Sequence, residues 1–172
     1  MKCPYCGHDN ISGSDECEYC SGNLSSLDGL VPTSRMEKVL MEDPIAKLKP
    51  REATRVEAGT TVLEAVRKMN REKVGCALAT RGSQVAGIVT ERDVVFKVLA
   101  RNKNPAEVRV EAVMTPNPVT LEADDTLAFA LNRMSVGGYR HIPILHEGRP
   151  TGIISVRDIL KYLAKLFPET AR

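Results

Sequence analysis

Apolar residues recur along this chain in two helical stripes of the same shape. Val62, Val66 and Met69 are spaced to fill one buried helix face, and so are Leu127, Leu131 and Met134. A short extended run precedes each stripe: Thr54-Arg55-Val56 before the first, Val119-Thr120-Leu121 before the second. A strand follows each, at 76–80 or 141–145, then a polar turn, RGSQ or HEGR, and a second strand at 85–89 or 151–154. A closing helix is predicted from Thr90 or Ser155 to about residue 100 or 166. The order is β-α-β-β-α, written twice.

The two halves superimpose without a gap. Displaced by 65 residues, Thr61 falls on Thr126, Ala65 on Ala130, Met69 on Met134, Gly87 on Gly152, Arg92 on Arg157 and Asp93 on Asp158. A gap-free period of this length marks an internal duplication. One copy, at about 60 residues, is marginal as a folding unit, so the two are expected to share a core. Upstream, 21–43 reads as a linker turning into a short helix. Ser34 is placed to cap it, Met36, Val39 and Leu40 share one side, and Pro44 ends it. The expected units are a cysteine head at 1–23, a linker and helix at 24–43, and repeats at 44–106 and 107–172.

Composition narrows the class. Of 172 residues, 42% are hydrophobic and 27% charged, which suits a domain with a core and a soluble surface. Trp is absent and aromatics are 4%, so the core is aliphatic and single-strand recognition by base stacking is disfavoured. No apolar run approaches the roughly 20 residues of a membrane span. The opening Met1-Lys2-Cys3-Pro4 lacks the apolar stretch of a signal peptide, so a cytoplasmic protein is expected.

The formal net charge of +2 hides an asymmetry. Residues 1–30 carry Lys2 against Asp9, Asp15, Glu16, Glu18 and Asp28, while the remainder is basic. An acidic head on a mildly basic body argues against nucleic acid as the partner.

The cysteines are four plus one. Cys3 and Cys6, then Cys17 and Cys20, form two Cys-x-x-Cys pairs separated by ten residues. Two such turns bring four thiolates around one tetrahedral ion, and structural Zn2+ is the expected occupant. An iron site of rubredoxin type uses the same ligands and stays open. Disulfides require an oxidising compartment, and a thioredoxin-like pair requires a βαβ context absent here. Gly7 and Gly22 follow the pairs and are expected to let the backbone curl toward the sulfurs. His8 is read as a surface residue. The runs CPYCGHDN and CEYCSGN resemble the short zinc ribbons, over about the first 23 residues. Such a segment has no core of its own, so the metal supplies its folding energy.

In the repeats, GIVTERD, GIISVRD, EAVMTPNPVTL and YRHIPIL resemble the cystathionine β-synthase (CBS) domain family. The two copies look like a tandem CBS pair, the Bateman module, over about residues 44–166. The first copy departs from the pattern: it has Cys76-Ala77-Leu78 against His141-Ile142-Pro143, and Lys49-Pro50-Arg51 against Met114-Thr115-Pro116. The implied fold is α/β (α+β): two β-α-β-β-α CBS repeats packed as a pseudo-two-fold pair, plus a small N-terminal zinc ribbon.

The same resemblance implies two adenine-nucleotide clefts between the copies. One would combine Ser155, Arg157 and Asp158 with Thr60, Val74, Gly75 and Cys76. The other would combine Thr90, Arg92 and Asp93 with Asp125, Thr126, Tyr139, Arg140 and His141. Thr90/Asp93 and Ser155/Asp158 are also well spaced as helix caps. A helix N-terminus suits phosphate, and a carboxylate beside it can accept ribose hydroxyls. Arg140 and His141 favour the second cleft for a charged ligand. Cys76 is read as a small buried residue and Glu91 as a solvated first-turn acid.

No catalytic constellation is evident, so the chain is not expected to be an enzyme. The expectation is a regulatory module for AMP, ADP, ATP or S-adenosylmethionine. It is expected to form a homodimer through Val94, Val95, Val98, Leu99, Ile159, Leu160 and Leu163 of the closing helices. The alternative is a ligand-free dimerisation scaffold whose head docks a protein partner.

Overall fold

The computed structural model describes residues 3, 5–11, 13–24, 34–146 and 149–168. Most of the expected linker, with Pro32, and the centre of the HEGR turn lie outside the described residues. The first helix, α1 (Arg35–Glu42), opens on Ser34, whose hydroxyl accepts the Glu37 N–H at 3.1 Å. A 3-10 turn, Ile45–Leu48, follows Pro44.

The first repeat contains β1 (Arg55–Glu57), α2 (Val62–Glu72), β2 (Cys76–Arg81) and β3 (Gln84–Thr90). The helix α3 (Glu91–Asp93) runs on as a π turn, Val94–Val98, and a 3-10 turn, Leu99–Arg101. After β4 (Thr115–Pro116) comes the second repeat: β5 (Leu121–Glu122), α4 (Leu127–Gly137), β6 (His141–His146), β7 (Arg149–Ser155) and α5 (Val156–Leu166). The expected β-α-β-β-α order is present in both copies, so this is a mixed α/β fold. The closing helices differ. In α5 the turns are regular, whereas in the first repeat the Leu99 N–H reaches back to Val94 and Val95.

Of the predicted stripes, Val62 and Met69 are buried on α2 and Leu127 and Met134 on α4, with Ala65 and Ala130 buried beside them, while Val66 and Leu131 are only partly buried. Parallel pairing joins β1 to β2 and β5 to β6, and antiparallel pairing joins β2 to β3 and β6 to β7. Strand β2 is covered on both faces. Ala77 and Ala79 face α2 in one cluster, while Cys76 and Leu78 meet Ile88 and Ile153 in another, as the period of two requires.

The opening segment of each copy completes the other copy. Strand β4, at the start of the second repeat, pairs with β3 of the first through Gly87↔Pro116 and Ile88↔Thr115. Arg51, at the start of the first repeat, bridges to Ile153 of the second, and the Ile153 N–H donates to the Arg51 carbonyl at 3.1 Å. The same exchange holds nearer the helix starts. Ile45 and Ala46 donate to the carbonyls of Asp125 and Ala123, and Val110 and Glu111 donate to those of Thr60 and Ala58. Each of these pairs recurs at the 65-residue displacement. Ile45 is fully buried in the second repeat's core and Val110 in the first's.

Candidate functional site

The cysteine head is built from two matching turns. Gly7 N donates to Cys3 O at 2.8 Å, and Ser21 N donates to Cys17 O at 2.8 Å. Cys3 N returns to His8 O and Cys17 N to Gly22 O, both at 2.9 Å. The left-handed residues of the turns are Gly7 (φ 71°) and Ser21 (φ 55°). Gly22, expected to supply that curl, has a different task. A Cβ there would stand 2.6 Å from the Tyr5 ring and 3.3 Å from Cys20 Sγ. Asn10 ties the turns together, donating to His8 O and accepting the Glu18 N–H. His8 is exposed and stacks on Tyr19 at 5.6 Å.

The four sulfurs of Cys3, Cys6, Cys17 and Cys20 lie within 4.8 Å of one another. Cys3–Cys20 and Cys6–Cys17 are 3.6 and 3.5 Å apart. A Zn–S bond of about 2.3 Å gives a tetrahedron with edges of about 3.8 Å, so the donors fit such an ion. Burial raises the thiol pKa values of Cys3 and Cys6. Burial also acts on Cys17, but the N–H groups of Cys20 and Tyr19 and the Asn10 amide outweigh it, bringing that thiol down to about 6.

The head seats on the second repeat. Cys3, Cys17, Cys20 and Leu24 belong to the same buried cluster as Leu121, Leu127 and Phe129. A groove of about 330 Å3 remains between Cys6, His8 and Tyr19 on one side and Leu121, Glu122, Asp125, Phe129 and Arg133 on the other. Its counterpart 65 residues earlier, lined by Val56, Glu57, Thr60, Glu64 and Lys68, is an open groove of about 640 Å3. The choice between them follows from one exchange. Phe129, buried in the cluster under the head, stands where the first repeat has Glu64, so the second repeat offers an aromatic ring where the first offers a charge.

Two cavities open where the repeats meet. One, of about 380 Å3, places Thr90, Arg92 and Asp93 opposite Tyr139, Arg140 and His141. Ile88, Pro118, Val119 and Tyr139 give it an apolar side. The other, of about 480 Å3, places Ser155, Arg157 and Asp158 opposite Val74, Gly75 and Cys76. It is more heavily charged, with Arg51, Lys73, Glu52 and Glu91 also in its walls.

Arg140 and His141, expected in the first of these alone, line both. Thr60, Asp125 and Thr126 line neither. Thr60 and Asp125 sit in the outer grooves, and Thr126 caps α4 through the Phe129 N–H at 3.2 Å. The reason is length: an 11-residue helix spans about 16 Å, so residues before its start and after its end lie at opposite ends of the strands. Glu91, Pro118 and Val119 also line these cavities, where none of them was expected. Glu91 is not only a first-turn acid: its carboxylate is 3.4 Å from the Cβ position of Gly75.

The helix starts use reciprocal caps. Asp93 Oδ2 accepts Thr90 N at 2.9 Å and Thr90 Oγ1 at 2.6 Å, and Asp93 N donates back at 3.3 Å. Asp158 Oδ2 accepts Ser155 N at 2.8 Å and Ser155 Oγ at 2.6 Å. Asp93 Oδ1 also pairs with Lys97 at 2.6 Å. Burial pushes the His141 pKa down, against the charges of Asp158 and Glu91 and with that of Arg140. Burial, with Glu91 and Asp158, pushes the Cys76 thiol up to about 12, against the charge of Arg51. Burial likewise raises the Asp125 carboxyl, opposed by the Glu122 N–H and aided by the charges of Asp124 and Glu122.

A duplicated β-α-β-β-α unit with exchanged opening segments and two capped-helix clefts defines a paired cleft module. This chain belongs to the CBS domain family, whose model matches residues 39–100 and 110–165. The match begins after the cysteine head. CBS domain-containing protein CBSCBSPB2 of Arabidopsis thaliana is 33% identical over 87% of this chain. The chain spans 28% of the length of that relative. A CBS-domain containing protein of Agrobacterium tumefaciens is 30% identical, with a TM-score of 0.66 over 70% of this chain and 98% of its own. A CBS domain protein of Pyrobaculum aerophilum, solved in complex with AMP, is 22% identical, with a TM-score of 0.62 over 71% of this chain and 98% of its own. No helix among the described residues is long and apolar enough to cross a membrane.

Proposed function

We propose that this chain is a regulatory CBS pair that binds an adenine nucleotide, with the Thr90/Asp93 cleft as the preferred site and structural zinc in the head. The observation that carries the reading is the pairing, in one cavity, of a capped helix start with an apolar wall and cations. Ile88, Pro118, Val119 and Tyr139 suit a purine, and Arg92 and Arg140 suit phosphate. Asp93 keeps lone pairs for ribose hydroxyls beside the bonds it already accepts. The Ser155/Asp158 cleft sets three acids, Glu52, Glu91 and Asp158, among its cations Arg51, Lys73, Arg140 and Arg157, and its wall is the more polar of the two, so it suits a purine less well. The AMP complex of the Pyrobaculum aerophilum relative supports the ligand class.

The nucleotide signal passes through assembly. Val95, Phe96, Leu99 and Leu160 are exposed on the closing helices and suit an isologous homodimer face. Val98 and Ile159, expected on that face, are fully buried inside the repeats instead. Isothermal titration with AMP, ADP, ATP and S-adenosylmethionine tests the ligand, and sedimentation equilibrium tests the dimer. Binding of at least one ligand, weakened by Asp93→Ala, is expected.

One observation favours a second reading. Both carboxylate oxygens of Asp93 are already engaged, by Thr90 and Lys97. On that reading the caps are structural and the pair is a scaffold whose head docks a protein partner. No heat with any of the four ligands at millimolar concentration would select it.

A further inference from the structure

Val119 lines two cavities at once: the groove under the cysteine head and the Thr90/Asp93 cleft. It belongs to a short extended stretch, 117–122, which leaves β4 and enters β5. Asn117 and Pro118 face the cleft, Val119 faces both cavities, and Thr120, Leu121 and Glu122 face the groove. One wall therefore separates the head from the candidate nucleotide site.

The head packs on the second repeat. Its described residues bury Cys3, Cys17, Cys20 and Leu24 against the second repeat and have no core apart from that cluster. A segment this small folds on its metal. Tyr5, Cys6 and Leu24 pack in the same cluster as Leu121 and Phe129, and loss of that cover would leave the far side of 117–122 facing water.

We infer that metal in the four-cysteine head tightens nucleotide binding in the Thr90/Asp93 cleft by fixing the shared wall at 117–122. The inference rests on the nucleotide reading above and adds its regulator, a thiophilic divalent cation of the zinc class. The opposite cleft supplies an internal control. The cavity of Ser155 and Asp158 shares no lining residue with the groove under the head. Metal in the head reaches it only through the body of the second repeat, where Val156 packs on the same cluster as the head cysteines and lines that cavity. Linkage also runs in reverse, so nucleotide in the Thr90/Asp93 cleft tightens the hold on the metal.

The test uses the full chain, zinc-loaded and chelator-stripped. AMP is titrated calorimetrically into Asp158→Ala, which retains the Thr90/Asp93 cleft, and into Asp93→Ala, which retains the other. Stripping zinc is expected to weaken AMP at least about fivefold in Asp158→Ala, the lower end of ordinary allosteric coupling, and to leave Asp93→Ala within about twofold. Hydrogen exchange read alongside should rise at 117–122 as well as in the head, with 51–54 of the other cleft unchanged. Equal AMP affinity of zinc-loaded and stripped Asp158→Ala overturns the inference. So does an equal loss in both variants, which means general destabilisation. If no form binds AMP, ADP, ATP or S-adenosylmethionine, the nucleotide reading fails and the inference falls with it, whereas binding that ignores zinc, or a rise in exchange confined to the head, overturns the inference alone.

Discussion

Gly87 and Gly152 lie 65 residues apart, and each lies under the opening segment of the repeat to which it does not belong. A Cβ on Gly87 would stand 2.7 Å from the Thr115 carbonyl oxygen and 2.7 Å from Met114 Sδ. One on Gly152 would stand 2.7 Å from the Arg51 carbonyl oxygen and 2.8 Å from Pro50 Cβ. Both neighbours include backbone, which cannot swing aside as a side chain does. Gly87→Ala and Gly152→Ala should each lower stability by about 1–3 kcal/mol, the usual overpacking range. Gly59→Ala, where a Cβ meets nothing within 4 Å, should be nearly neutral. Urea denaturation of the three variants reads the difference, and equal midpoints would mean that the strands spread freely.

The sulfur geometry predicts about one zinc per chain by elemental analysis. Cys3→Ser or Cys17→Ser should abolish that stoichiometry and expose the head to proteolysis. The repeats should keep their cooperative melt, at a lower temperature because Leu121 and Phe129 lose their cover. A protein purified with four freely titratable head thiols and no metal would contradict the assignment.

The caps predict a split between binding and stability. Asp93→Ala removes a charged acceptor from the preferred cleft, which is worth about 1.5–3 kcal/mol, so nucleotide affinity should fall at least about tenfold. Asp158→Ala removes the matching cap at a similar cost of about 1 kcal/mol of stability but should spare that affinity. Calorimetric titration alongside thermal melts separates the two effects. Equal losses of affinity would make the clefts equivalent.

Asp43 and Tyr162 join the lead-in of the first repeat to the closing helix of the second, with Tyr162 Oη donating to Asp43 Oδ2 at 2.6 Å. Burial alone would raise the Asp43 carboxyl, but hydrogen bonds from Lys47 and Tyr162 hold it below its ordinary range. A carboxyl lowered by folding contributes stability above its unfolded pKa of about 4 and loses it as pH falls through the lowered value. Tyr162 is pushed up to about 12, chiefly by its bond to Asp43. Its share is whole below about pH 10 and is lost as pH rises toward that value. Tyr162→Phe should cost about 1 kcal/mol at pH 7. Asp43→Asn should flatten the acid limb of urea midpoints measured from pH 5 to 3, and an unchanged limb would place the acid sensitivity elsewhere.

The duplication, the two Cys-x-x-Cys turns and both helix caps were legible because each is local or rests on the 65-residue period. Helix starts at Thr61, Thr90, Thr126 and Ser155 carry their own hydrogen-bonding side chains. The exchange of opening segments was not legible. Residues 45 and 110 share the period, but nothing in the pattern tells Ile45 that its core is the second repeat's. The π turn after Asp93 has no marker either, since Val94-Val95-Phe96 reads as apolar helix as readily as Ile159-Leu160-Lys161 does. Thr60, Asp125 and Thr126 were expected in the clefts only through the family resemblance, and nothing in their own spacing says which end of a helix faces the junction. The seat of the head was written in Phe129 against Glu64, a contrast visible only once the two grooves are known to be equivalent.

The exchanged openings also bear on how the chain is made. Synthesis runs from the N-terminus, so residues 43–51 leave the ribosome before the strands they complete at 121–154 exist. The first repeat in turn lacks its edge strand until 115–116 emerges. The first half cannot close before residue 116 has emerged, and the apolar Ile45 must wait, unburied, for about 100 further residues before the second repeat's core exists. A nascent chain halted near residue 106 should therefore remain protease-sensitive and chaperone-bound, and one in which residue 116 has cleared the ribosome should protect the first half ahead of the second.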